Sequence, residues 1–520
     1  MYRPFPNLGD ILKKEGSSIF DYFDFDPDQP PFPTKEVAVL QGSWYEMGLQ
    51  YGQQARDSLH RRVAFFLQLD RSKAETYDKL YDDMKEYIAH YQQFFPEFVK
   101  LLHGMADGAK LGFLDVAATH TIYTPLSEHS CSHVSAWGKA TADGGIYGGA
   151  NWDYEGNLRV YEPAVIAYPD NGHAFISASG IATNAMINDA GVMVLSSGSQ
   201  HKLPKDHKDI GFQYMVGFLY ISAKCATAAE ARDALLNANI ACNIGNNVQI
   251  VDQTLDAFIL EHTARMDIMR KSGDYGEQDY LIATNHFLAP EMKPSLYSGD
   301  QEWIDCQYRY DTEEQVIKEN YGKVTLDTIN QALGSTRTFV DGRWEDEIWS
   351  MEPTAGVSRG EWSPENVSVT CKCVNRGLID LKKRTLYIIA GCGNTLASER
   401  PYAAGTASRL VLKGSPKEVL ENSKMHAQVQ LFLAGKDLTG QTMPDQDKIE
   451  RLNKAKSALY AGHNYMNLAD CSLDRNERLR LYGMAATRYS YCQCMAQQAM
   501  DDPQRIVRES FYLESWEELI

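Results

Sequence analysis

A chain of 520 residues, 44% hydrophobic and 23% charged, has the balance of a soluble globular protein. It has the length for two to four domains or for one large core with additions. Its formal net charge of −18 and pI near 5.2 set it against nucleic acid and against anionic membrane surfaces. There is no phosphate-binding loop or dinucleotide fingerprint, no apolar run reaches the ~18–20 residues of a membrane span, and ten cysteines are too sparse for a disulfide scaffold.

The start, Met1-Tyr2-Arg3-Pro4-Phe5-Pro6, lacks the basic residues and apolar run of a secretion signal, so a cytoplasmic protein with reduced thiols is expected. Residues 1–35, rich in Pro, Asp and Phe, read as an extended arm. Helical periodicity follows over Met47 to Phe66, Lys73 to Gln93, Phe98 to Ala109 and about Leu114 to Ile122, making 36–130 a mostly helical segment. From residue 131 to 404 the pattern turns to strands: Ala174–Ser179, Val192–Ser196, Val248–Leu260, Tyr280–Ala283 and Leu386–Ala390. Helices over Gly211–Ser222 and Thr227–Leu236 interrupt them. Within 405–520, Pro416 to Leu433, Asp445 to Tyr465 and Arg475 to Met500 read as three amphipathic helices. Packing is the expected work of this appendage, since a helical stripe generally buries an apolar face.

The most informative stretch begins at Cys131. It reads Cys131-Ser132-His133-Val134-Ser135-Ala136-Trp137, then Gly138 to Gly145, then Ile146-Tyr147-Gly148-Gly149-Ala150-Asn151-Trp152-Asp153. This pattern predicts two strands joined by an Asp143-Gly144 turn, where Gly144 can take a positive φ at little steric cost. A three-residue loop, Ala142-Asp143-Gly144, would pair Thr141 with Gly145 and bring Cys131 opposite Glu155. Asp153 would then lie diagonally across on the same face, roughly 7 Å away. His133 shares the face of Cys131 and is expected either to pack or to touch the substrate. Asn151 shares the face of Asp153. Two Cys-x-Cys pairs, Cys371/Cys373 and Cys492/Cys494, have poor spacing for zinc, and ordinary packing is expected of them, with no metal.

This hairpin, with Asn151-Trp152-Asp153 on its second strand, resembles the N-terminal-nucleophile hydrolases, in particular the isopenicillin N acyltransferase family. Further matches follow the family's order: Leu40-Gln41-Gly42-Ser43-Trp44-Tyr45-Glu46-Met47-Gly48, Gly104-Met105-Ala106-Asp107-Gly108, Asn188-Asp189-Ala190-Gly191-Val192, Val248-Gln249-Ile250-Val251-Asp252 and Ala283-Thr284-Asn285-His286. Together they span roughly residues 36–395. The resemblance implies an α+β fold, a four-layer αββα sandwich preceded by the helical segment 36–130 as small subunit. It does not reach the C-terminal helices.

The resemblance also implies a precursor that cuts itself between Ser130 and Cys131, with Ser130 where the family usually carries Gly. The new α-amino group of Cys131 then serves as base for its own thiol. Such an amine titrates near 8 and the thiol near 8.5, so the proton moves at little cost and no separate His is required. By the same resemblance Asp153 holds the α-amino group and Asn285 donates to the oxyanion. The family's Arg near the substrate has two candidates by position, Arg359 and Arg376. The expected activity is hydrolysis of a small linear amide or thioester through an acyl-enzyme on Cys131, without a cofactor and with the two cleaved fragments staying associated. Two alternatives stand beside it: an N-acyltransferase of secondary metabolism using acyl-CoA or an amide, and a non-cleaving binding or scaffold protein. A bile-salt-type hydrolase fits less well, because its nucleophile lies almost at the start of the chain. Self-association into a homo-oligomer is left open.

Overall fold

The computed structural model describes residues 34–74, 76–120, 131–155, 162–199, 213–238, 245–263, 266–292, 300–335, 337–346, 371–390, 406–439 and 445–500, with 5–7, 10, 211 and 240 besides. In chain order the helices are α1 (Trp44–Gln54), α2 (Arg56–Ala74), α3 (Tyr77–Phe94), α4 (Pro96–Ala109), α5 (Phe113–Ala118), α6 (Tyr214–Lys224), α7 (Ala228–Asn237), α8 (Asp300–Glu319), α9 (Leu326–Leu333), α10 (Pro416–Thr439), α11 (Gln446–Cys471) and α12 (Arg475–Gln498). The strands are β1 (Val37–Gly42), β2 (Ser132–Trp137), β3 (Ile146–Glu155), β4 (Ala164–Pro169), β5 (Phe175–Ser177), β6 (Ala185–Asn188), β7 (Val192–Ser199), β8 (Gly245–Asp252), β9 (Ala257–His262), β10 (Asp267–Arg270), β11 (Tyr280–Ala283), β12 (Arg337–Val340), β13 (Arg343–Asp346), β14 (Cys371–Asp380), β15 (Thr385–Ala390) and β16 (Ala407–Val411).

Two sheets form the centre. One has eight strands in the order β1-β4-β5-β6-β7-β8-β9-β10, the other six in the order β11-β2-β3-β14-β15-β16. Strand alternation sorts their side chains into layers. In β1, Val37 and Val39 face the second sheet while Ala38 and Leu40 face helices α1 to α7. In β7, Met193 and Leu195 face inward while Val192 and Val194 face those helices. On the far side, Val134, Ala136, Tyr147 and Leu378 of the six-stranded sheet pack on Tyr310 and Ile317 of α8 and Ile329 and Leu333 of α9. Helices, sheet, sheet, helices: the α+β class and the αββα layering are both present.

Local chemistry explains the entry. Ser43 caps α1, its Oγ accepting from Glu46 N at 3.3 Å while Glu46 Oε2 accepts from Ser43 N at 2.8 Å. α1 then lies backbone to backbone on α4. A Cβ at Gly48 would sit 2.1 Å from the Leu101 carbonyl oxygen, and one at Gly104 would sit 2.1 Å from that of Tyr45. Two of the sequence segments that match the family are therefore the two sides of one helix crossing.

The expected helix Met47 to Phe66 is two, because the chain breaks at Ala55 (φ −107, ψ 30). The expected strand Val248–Leu260 is the hairpin β8–β9. Asp252 Oδ1 accepts from Thr254 N at 2.8 Å in its turn, and Leu255 takes φ 70. The expected arm 1–35 falls almost wholly outside the described residues, although Thr34 and Lys35 are buried. β16 begins after residue 404 yet completes the six-stranded sheet, so the C-terminal region contributes a core strand as well as α10, α11 and α12. Cys492 and Cys494 are fully buried in α12, and burial pushes their thiols up to about 12 and about 11. Among the described residues no helix is long and apolar enough to cross a membrane.

Candidate active site

Cys131 stands one residue before β2 and is buried. The β2–β3 ladder pairs Ser132 with Asn151 and closes with Trp137 opposite Ile146. The three-residue loop expected from the sequence is therefore wrong. After Trp137, Gly138 takes φ 56 and a short 3-10 turn carries the chain away from the ladder. Thr141 bridges to Val324 instead of pairing with Gly145, and Ala142 N donates to the Val324 carbonyl at 3.0 Å. The Asp143-Gly144 turn itself forms as expected, with Asp143 Oδ1 accepting from Gly145 N at 2.8 Å and Gly144 at φ 69.

The larger loop shifts the register by three residues, so Cys131 comes against Trp152 and not Glu155. A shift by an odd number reverses the face. Asp153 is thus out of phase with Cys131 along the hairpin, and the diagonal contact argued from the shorter loop does not hold. Backbone pairing places Asp153 opposite Cys373 of β14. Its side chain lies outside the described residues, as does Ser130.

What joins Cys131 to the rest of the site is Arg309 of α8. This guanidinium is fully buried, and its Nη1 donates to the Cys131 carbonyl oxygen at 3.0 Å. Its Nη2 donates to Asn285 Oδ1 at 2.9 Å and lies 3.4 Å from Cys306 Sγ. One side chain therefore brings Cys131 and Asn285, the two residues expected from the sequence as nucleophile and oxyanion donor, into a single cluster. For the family's Arg near the substrate the sequence offers Arg359 and Arg376 by position without settling on either, and Arg309 is not among its candidates. Arg359 lies outside the described residues. Arg376 instead ties β3 to α9, donating to Asn151 Oδ1 at 2.8 Å, Asn330 Oδ1 at 3.0 Å and the Leu333 carbonyl at 2.9 Å.

Asn285 follows β11 in a loop fixed on both sides. Asn247 Nδ2 donates to the carbonyls of Thr284 and His286 at 2.8 and 3.0 Å, and Ser197 Oγ donates to that of Thr284 at 2.7 Å. The accepted bond from Arg309 orients the amide, so Nδ2 is the donor side; it reaches the Gly198 carbonyl at 2.6 Å. An amide has two N–H donors, and Gly198 uses one. Asn151 belongs to the α9 side, its Nδ2 on the Leu333 carbonyl at 2.8 Å. His133 is fully buried; desolvation and the Arg270 charge push it down to about 3, so the ring is neutral near pH 7.

Behind this cluster lies a buried ionic frame. Arg270 of β10 donates to Glu261 Oε1 at 3.1 Å, Glu277 Oε2 at 2.7 Å and the Ile282 carbonyl at 2.6 Å. Glu277 Oε1 accepts from Ile282 N at 2.9 Å and from the Tyr310 hydroxyl at 3.2 Å. Glu261 accepts from Leu288 N and Ala289 N at 2.9 and 3.0 Å. The chain is thereby held on both sides of Asn285, and α8 is held one residue from Arg309.

Residues 140–331 match the family model described as acyl-coenzyme A:6-aminopenicillanic acid acyl-transferase. The match includes Asn151, Asp153, Asn285 and Arg309 and begins after Cys131. Among solved structures, the chain is similar to a mutant of conjugated bile acid hydrolase from Clostridium perfringens at 13% identity and TM-score 0.33, over 55% of this chain and 97% of that one. A second variant of that hydrolase gives 12% identity and TM-score 0.30 over the same shares. No curated protein matches the chain.

Proposed function

With the acyl-transferase family's match over residues 140–331 bearing out the resemblance carried by the motifs, we infer that this protein is a self-processing cysteine enzyme that moves acyl groups from amides or thioesters. Cys131 is its nucleophile. Cleavage of the Ser130–Cys131 bond frees an α-amino group that takes the thiol proton, and the thiolate attacks the substrate carbonyl. The second N–H of Asn285 Nδ2 meets the oxygen as negative charge develops there. Such a donor is worth ~3–4 kcal/mol of barrier. Collapse of the tetrahedral species returns the proton to the leaving amine or thiol and leaves a thioester on Cys131. Water resolves this acyl-enzyme in hydrolysis and an amine resolves it in transfer.

The observation that carries the reading is the Arg309 bridge. A buried cation that binds both the carbonyl of Cys131 and the amide of Asn285 assembles the two residues the chemistry needs from distant parts of the chain. Arg309 is a positioning residue: by taking Oδ1 it orients the amide so that Nδ2 has one N–H on the Gly198 carbonyl and a second for the substrate. Asp153 is assigned to hold the α-amino group by resemblance alone. A small linear amide is the substrate class, and the family's printed name favours an amine acceptor as the alternative to water.

Intact mass tests the first step. Wild type is expected as fragments of 1–130 and 131–520, and Cys131→Ala as a single chain. An active wild type that stays full length overturns the self-processing reading. An uncut and inactive wild type favours the binding-protein reading in its place.

A further inference from the structure

The two sheets end on the same side, and both end strands are closed by side-chain amides where another strand would otherwise pair. β1 is the last strand of the eight-stranded sheet and β16 of the six-stranded one. On β1, Gln54 of α1 accepts from Val39 N at 3.1 Å and donates to its carbonyl at 2.9 Å. Gln50 does the same for Gln41 at 2.8 and 3.0 Å. The spacing fits because four helical residues rise ~6 Å and two strand residues ~6.6 Å. On β16 the pattern is repeated by α12. Gln497 accepts from Ala407 N at 2.9 Å and donates to its carbonyl at 2.7 Å, while Gln493 accepts from Arg409 N at 2.9 Å.

α12 also reaches β1. Thr487 Oγ1 accepts from Val37 N at 2.9 Å, and Asn476 Oδ1 accepts from Gln50 Nε2 at 3.0 Å. At Gly483 the helix comes so close that a Cβ would lie 2.8 Å from the Val37 carbonyl oxygen and 2.4 Å from Gln54 Oε1. One helix therefore grips a strand that precedes Cys131 and, less than three turns further on, a strand that follows it. Val37 and Val39 share one apolar cluster with Leu479, Tyr482, Ala486 and Tyr489 of α12.

We propose that the C-terminal helices are a clasp between the two products of cleavage, and that their partner is the β1–α1 unit of the fragment 1–130. The proposal rests on the self-processing reading above. Before a cut, the chain itself tethers β1 to the sandwich. After a cut, β1 keeps its parallel ladder with β4, Val37 to Gly42 against Ala164 to Pro169, and would otherwise be an edge strand of a separate chain. On that edge α1 of the same fragment caps Val39 and Gln41, and α12 adds the cap on Val37 from the fragment 131–520, so that the small fragment is held from both sides.

The test uses full-length protein carrying Gly483→Leu, which pushes α12 off β1. Gly435→Leu in α10 is the control, since nothing lies within 4 Å of a Cβ there. Each protein is cut at 130/131 by itself or, where it does not cut itself, by a protease site replacing residues 126–130. A failure of self-cleavage thus leaves the clasp still tested. Size-exclusion chromatography across a urea series then reads when fragment 1–130 elutes free. Gly483→Leu is expected to release it at about 1 M less urea than wild type or Gly435→Leu, with the large fragment keeping its ellipticity. Release at the wild-type concentration overturns the proposal, as does release that always coincides with loss of ellipticity. Should Gly483→Leu not fold, Thr487→Val removes only the hydroxyl under Val37 N. Amide exchange at Val37 in the uncut chain is expected to quicken about tenfold while Ile166 in β4 is unchanged, and an unchanged Val37 overturns the proposal equally.

Discussion

Arg309 is a buried charge whose guanidinium reaches the Cys131 carbonyl, the Asn285 amide oxygen and the Cys306 sulfur. Its desolvation is offset by strong hydrogen bonds that a lysine could not reproduce, because the fork reaches Cys131 and Asn285 from different nitrogens. Two linked effects are expected, measured on a chromogenic p-nitroanilide with the fragment 131–520 co-expressed with 1–130, which bypasses processing. Asn285→Ala lowers kcat by about 10²–10³ with KM little changed, as loss of a transition-state donor does. Arg309→Lys lowers kcat by a smaller factor, and adding it to Asn285→Ala costs almost nothing further, because both act through one amide. Fully multiplying losses in the double variant would show that Arg309 acts elsewhere. Turnover of Asn285→Ala within a factor of about three of wild type would remove Asn285 from the oxyanion site.

Among the elements, the crossing of α1 and α4 is the most demanding piece of packing. Ala is normally the better helix residue by about 1 kcal/mol. At Gly104 that gain is overwhelmed, since a Cβ would lie 2.1 Å from a backbone oxygen that no rotamer can move. Gly104→Ala is expected to destabilise by about 1–3 kcal/mol, the usual cost of overpacking. Gly435→Ala, in open space on α10, is expected to stabilise by about 0.5–1 kcal/mol. Urea midpoints of the two variants against wild type check the opposite signs.

The same elements show where sequence was informative. Strands buried on both faces announce themselves as apolar runs, so β7, β11 and β15 were legible, and so were the three C-terminal helices. The β2–β3 hairpin was legible as a hairpin but not in register, because its loop is set by docking on residues 322–324, far along the chain. α8 was missed because its inward face is polar. Cys306, Arg309, Tyr310, Glu313 and Ile317 recur at helical spacing and are buried, yet Arg309 and Glu313 are residue types that read as surface positions. That spacing was the available signal for Arg309. The edge-capping pairs Gln50/Gln54 and Gln493/Gln497 look like ordinary polar helix positions until a strand is seen beside them.

For the molecule as a whole, the buried imidazoles couple folding to pH. His133 lies between the sheets, held down to about 3 by burial first and by Arg270 second. His426 of α10 is fully buried against Arg409, and burial and that cation hold it well below its ordinary value. Both rings are neutral in the folded protein, while in the unfolded chain each takes a proton near pH 6.5. Above that pH neither state binds the proton and the two groups leave stability unchanged. As pH falls below about 6.5 the unfolded state gains protons that the folded state refuses, so stability drops by about 1.4 kcal/mol per pH unit for each ring. The loss continues down to the folded value, about 3 for His133. Urea unfolding at pH 7.5 and 5.5 should therefore show a loss of about 2–3 kcal/mol from the two rings together. The buried carboxylates Glu261 and Glu277, both raised chiefly by desolvation, act with the opposite sign in a lower window: their protonated forms are favoured in the fold, so they add stability as pH falls through the carboxylate range. Between pH 7.5 and 5.5 the histidine effect is separable, because His426→Gln removes one titrating ring and should halve the slope attributed to the pair. A slope unchanged in His426→Gln would mean that the ring binds protons alike in the folded and unfolded protein, so that burial against Arg409 does not hold it down.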